Sequence, residues 1–66
     1  MDVTVNGQSR TVHDGLTLNR LLTAERADTR GCAAAVYGVV VPRARWAALV
    51  LVDGQAVELL TAVQGG

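Results

Sequence analysis

The side chains able to do chemistry in this 66-residue chain are few and stand apart. His13, in "HDG", is the one histidine and reads as an exposed loop residue. Cys32 is the one cysteine, which excludes an internal disulfide. It precedes "AAAV" with no lysine or histidine nearby to activate a thiolate, so it reads as a small buried apolar residue. Ser9 has no candidate triad. No Cys/His spacing suits a metal, and the scattered glycines make no phosphate loop. What remains is the main chain itself. The sequence closes "TAVQGG", on Gly65 and Gly66. Glycine packs nothing and loses the most conformational freedom when ordered. A core has no use for such a pair, so it is either a frayed end or a tail shaped to enter something narrow. A terminal carboxylate is ionised at neutral pH, with a free pKa of about 3.3–3.7. It is a poor electrophile and must be activated before it can react.

Composition narrows the classes further. Sixty-six residues suffice for one domain, and such a domain buries only about 60% of its unfolded surface. Half of the residues are apolar and the formal net charge is zero, so the chain reads as globular. There is no basic excess to attract nucleic acid or an anionic membrane. Pro42 and Arg43 break the longest apolar run far short of a membrane span. The opening "MDVTVNG" is acidic and alternating, unlike a signal peptide, and a cytoplasmic protein is expected. All six basic residues are arginine. Without lysine, an activated terminus would find no side-chain amine of its own chain.

Elements that could carry such a tail can be read along the chain. Val3 and Val5 alternate with polar residues up to Asn6-Gly7, a type I′ turn signal. Two antiparallel strands are expected, about 2–6 and 8–12. Thr17 can cap a helix bearing Leu18, Leu21 and Leu22 on one face, prolonged by Ala24 and Ala27, with Gly31 near its end. "CAAAVYGVVVP" reads as two short apolar runs divided by Gly38 and closed by Pro42. "RARWAAL" suits a single helical turn, with Trp46 and Pro42 over the sheet end. Asp53-Gly54 marks another turn, and "QAVELLTAV" a last strand. The first and last strands can pair in parallel at the centre of a mixed α+β sheet, with one helix across one face. The expected organisation is one domain over 1–66, with 64–66 projecting as a tail.

In the last strand Val57, Leu59, Thr61 and Val63 share one face, and Glu58, Leu60 and Ala62 the other. Glu58 belongs in water, so the first set should face the helix. Leu60 and Ala62 are then exposed just before the tail, either as ordinary surface residues or as a partner-binding patch. Arg43 and Arg45 are open in the same way, between a solvated face and an acidic groove on a partner.

Residues 40–66 resemble the ThiS family, the sulfur carrier proteins of thiamine biosynthesis. The resemblance is carried by V-P-R-x-x-W at Val41, Pro42, Arg43 and Trp46, by the Asp53-Gly54 turn, by an alternating strand and by the terminal Gly-Gly. Length and the hairpin–helix opening extend it to essentially the whole chain. Two positions depart from the family pattern: Tyr37 stands where asparagine is usual, and Gly54-Gln55 where Gly-Asp is frequent.

The resemblance implies the ubiquitin-like β-grasp fold and a protein that is a substrate, not an enzyme. An E1-like adenylyltransferase would use Mg-ATP to adenylate Gly66. A persulfide sulfur donor such as a cysteine desulfurase would supply the sulfur of a thiocarboxylate. Thiazole synthase would receive it. Gly65 and Gln64 would thread the partner's channel, and if the exposed patch is a docking surface, Leu60, Ala62 and Arg43 are its candidate contacts. No cofactor or metal bound to the chain is implied. Rival readings are a sulfur carrier for molybdopterin, cysteine or siderophore synthesis, a modifier joined to lysines, and a β-grasp interaction module with an incidental Gly-Gly.

Overall fold

A computed structural model describes residues 1–26 and 28–61. Its elements are β1 (Asp2–Val5), β2 (Gln8–Thr11), α1 (Leu18–Glu25), β3 (Cys32–Val36), β4 (Val39–Val41), a 3₁₀ turn (Arg43–Arg45) and β5 (Ala56–Thr61). The five strands form one mixed sheet in the order β2-β1-β5-β3-β4. β1 and β5 are parallel and adjacent, and all other neighbours are antiparallel. This is the β-grasp arrangement expected from the sequence.

Two turns set the hairpins. Asn6 and Gly7 hold φ values of 50° and 82°, as a type I′ turn between β1 and β2 requires. Tyr37 and Gly38 repeat this between β3 and β4, at 51° and 77°. The departure at Tyr37 therefore places an aromatic residue in the left-handed region, where asparagine is better tolerated. Its hydroxyl donates to the Gly54 carbonyl at 3.3 Å. The Gln55 side chain accepts from Val52 N–H at 2.9 Å. The two departures thus meet at one end of the sheet. Tyr37→Asn should raise stability by about 0.5–1 kcal/mol, because relief of the left-handed strain exceeds the loss of one exposed hydrogen bond. Urea unfolding checks this, and a lower midpoint would contradict it.

The helix is shorter than its alanines suggest. Thr17 caps it, accepting from Arg20 N–H, and Leu18, Leu21 and Leu22 are buried on one face. Ala24 lies within it, but it stops at Glu25 because Arg26 is extended. Ala27 lies outside the described residues. Arg26 Nε donates to the Asp28 carbonyl, and Gly31 serves the turn into β3 at φ 76°, not the helix end. The helix face packs on Val3, Val5, Ala34, Val36 and Val57, together with Trp46 and Leu51. Each fully buried leucine there contributes about 1.5–3 kcal/mol. Arg10 closes the rim by pairing with Glu25 at 3.1 Å. None of the helices among the described residues is long and apolar enough to cross a membrane.

Candidate functional site

The V-P-R-x-x-W segment is the brace beneath the sheet end. Pro42 closes β4, and Trp46 is 1% exposed, so the indole is core. Its Nε1–H donates to the Val41 carbonyl at 2.9 Å. Arg43 stacks its guanidinium 4.5 Å from the Trp46 ring centre. The same group donates to Thr29 Oγ1 at 3.1 Å and to the Thr29 carbonyl. The spacing also serves the helix. Trp46 and Leu49 carbonyls accept from Asn19 and Leu18 N–H at 3.0 and 2.9 Å. Together with the Thr17 hydroxyl they satisfy first-turn donors that would otherwise lack partners. Pro42 itself is exposed, and only Trp46 is buried.

β5 leads out of this frame toward the tail. Val57 is buried and Leu59 packs against the core, so the odd-numbered set faces the helix as expected. Thr61 shares that face but is exposed. Val63, Ala62, Gln64, Gly65 and Gly66 lie outside the described residues. On the opposite face Glu58 is exposed and Leu60 is 52% exposed. Leu60 pairs with Ala33, and Glu58 with Ala35. Ala35 is also opposite Val40, which is exposed at the β4 edge. Leu60 thus stands beside small and apolar neighbours on a face with no helix.

The remaining candidates are dispersed. His13 is exposed, with Nδ1 3.0 Å from the Asp14 carbonyl. Cys32 is half-buried and packs against the core cluster. A shallow groove of about 400 Å³ beside β4 is lined by Val40, Val41, Pro42, Arg45, Ala48 and Leu49, without an acid or nucleophile among them. Among the described residues no three His, Cys, Asp or Glu side chains gather as a metal site. The Arg30 guanidinium and backbone N–H hold the Asp28 carboxyl below its ordinary range, but both groups are exposed and serve the loop before β3. Among the described residues the structure therefore brings together a braced strand and an apolar outer face.

Asn6 is the residue that sequence reasoning assigned only to a turn. Its carboxamide also bonds to Leu59 on β5. No spacing signal links positions so far apart in the chain.

The ThiS family model matches residues 3–66. The chain belongs to the ThiS family. Among solved structures, the crystal structure of a ThiS thiamine biosynthesis protein from Geobacter metallireducens is similar, at 35% identity and a TM-score of 0.85, with 100% of each chain covered. An NMR solution structure of a thiamine biosynthesis protein from the same organism is 35% identical with a TM-score of 0.78, covering 100% of this chain and 88% of the other. No curated protein is similar enough in sequence to count as a relative. The ThiS match takes in the V-P-R-x-x-W brace, β5 and the Gly-Gly end alike.

Proposed function

We propose that this protein is a sulfur carrier for thiamine biosynthesis whose working group is the carboxylate of Gly66. The ThiS family match across residues 3–66, which includes the Gly-Gly end, carries this reading. The fold supports it by pairing β5 with β1 as far as Val57 and with β3 as far as Thr61.

The chemistry asks little of the carrier's side chains. A Gly66 carboxylate oxygen attacks the α-phosphate of Mg-ATP held by an adenylyltransferase. Pyrophosphate leaves and an acyl-adenylate forms. A sulfur nucleophile then attacks the acyl carbon, the carbon–oxygen bond breaks and AMP departs. If the sulfur arrives as a persulfide, a thiol must cleave the sulfur–sulfur bond, leaving a thiocarboxylate on Gly66 and a disulfide behind. Thiazole synthase is the proposed acceptor. Water must be excluded while the adenylate exists. Gly65 and Gly66 suit that need, since a backbone without side chains fits a narrow channel and adopts the angles it demands. Gln64 adds no charge to that path.

Leu60 is the proposed docking contact, and Ala62, outside the described residues, is proposed to share it. Arg43 supports the surface chiefly through its hold on Thr29 and Trp46. The test is pyrophosphate–ATP exchange by the E1-like adenylyltransferase with this chain as substrate. Exchange that depends on the chain is expected, and its absence would remove the reading. Leu60→Arg should raise the KM for the chain at least about tenfold, as buried anchors at interfaces do. Its stability should change by no more than about 0.5 kcal/mol, because the residue is exposed. An unchanged KM would assign docking elsewhere.

A further inference from the structure

β1 ends at Val5, and the chain turns away through Asn6 and Gly7. β5 runs on past Val57, the last residue it pairs with β1. From Leu59 onward, the side of β5 that faced β1 has no strand beside it among the described residues. The Asn6 carboxamide occupies that position. Leu59 N–H donates to Asn6 Oδ1 at 2.9 Å. Asn6 Nδ2 donates to the Leu59 carbonyl at 3.2 Å. A neighbouring strand would satisfy the same two groups. The side chain therefore adds one rung to the β1–β5 ladder after the β1 backbone has left.

The turn alone does not require this residue. Its φ of 50° suits glycine and aspartate as well as asparagine. Glycine offers no side-chain group, and ionised aspartate only accepts. Asparagine carries both a donor and an acceptor, as the two bonds to Leu59 demand.

We infer that Asn6 is a positioning residue for the C-terminal tail, acting through Leu59. It fixes the last rung of β5 on the β1 side, next to Leu60 and Thr61, which among the described residues are held by β3 alone. Its consequence for sulfur transfer rests on the proposed carrier function. A β5 end that frays must be ordered again at each docking, and that cost falls on binding. Chemistry at the carboxylate is untouched, so the effect belongs in KM and not in kcat.

The test compares Asn6→Gly and Asn6→Asp with Thr17→Ala, a variant weakened at the helix cap far along the sequence from β5. Amide hydrogen exchange at Leu59 and Leu60 should quicken about tenfold or more in Asn6→Gly, relative to β1–β2 amides in the same molecule. Asn6→Asp keeps an acceptor for the Leu59 N–H but sets a carboxylate against the Leu59 carbonyl, so its quickening should be smaller than that of Asn6→Gly. In the adenylation assay Asn6→Gly should raise KM about tenfold with kcat within about twofold, while Thr17→Ala changes neither. Exchange at Leu59 and Leu60 that stays at the wild-type rate would overturn the inference. So would a KM rise of equal size in Thr17→Ala. If the unmodified chain is not adenylated at all, the carrier reading fails, yet the exchange measurement still decides the role of Asn6.

Discussion

Deleting Gly66 should abolish adenylation while leaving the fold intact. Removing one residue draws the carboxylate back by roughly 3.4 Å along an extended chain. A misplacement of about 1 Å already costs about a hundredfold in a positioned reaction. Pyrophosphate exchange should therefore fall at least about a hundredfold. Stability should not move, because among the described residues Val57 is the last member of the buried cluster and Leu59 packs on its rim. Urea unfolding run beside the exchange assay separates the two outcomes. A deletion variant that is adenylated at the wild-type rate would mean that Gly66 is not the working residue.

Trp46→Ala should be the most damaging single change to the fold. The indole is buried at 1% exposure, stacks under Arg43 and donates to the Val41 carbonyl. Truncating a buried tryptophan costs about 3–5 kcal/mol. A chain of this length has a total stability of only about 3–10 kcal/mol. The variant should be largely unfolded at 37 °C, or close to it. Trp46→Phe keeps most of the volume but strands the Val41 carbonyl, and should cost about 1–3 kcal/mol. Circular dichroism with urea titration reads both. A midpoint for Trp46→Ala within error of the wild type would contradict the placement of Trp46 as the brace of the sheet end.

Much of this architecture was legible because short-range signals and long-range needs agreed. Asn6-Gly7 announced a hairpin, and Leu18, Leu21 and Leu22 announced a helix face. Val57 and Glu58 assigned the two faces of β5. Each of these is a local pattern whose period or turn chemistry has one sensible outcome. The misses are tertiary. The alanine-rich pattern carries a helix through Ala24 as expected, but Arg26 is extended and its side chain bonds to the Asp28 carbonyl, ending the helix at Glu25. The position of Gly31 after the leucines suggests a helix end, but it is the turn into β3 that needs its positive φ. Pro42 was grouped with Trp46, yet a residue that ends an edge strand need not be buried.

The candidate site divides in the same way. Exposure of Leu60 followed from strand alternation. The work of Arg43 did not, because Thr29 stands 14 residues away and carries no motif. The second role of Asn6 was hidden behind a sufficient first one: the turn explained the residue completely until the carboxamide was seen to meet Leu59. Tyr37 was noted as unusual, but its partner at Gly54 could be found only in three dimensions.

The central claim is that the C-terminal carboxylate of Gly66 carries sulfur. Its most direct test is the intact mass of the protein purified from its own host, followed by fragmentation to locate any change. The account predicts a fraction heavier by the exchange of one oxygen for one sulfur, mapped to Gly66 and absent when Gly66 is deleted. A mass that never changes, even with the adenylyltransferase, Mg-ATP and a persulfide donor supplied in excess, would contradict it.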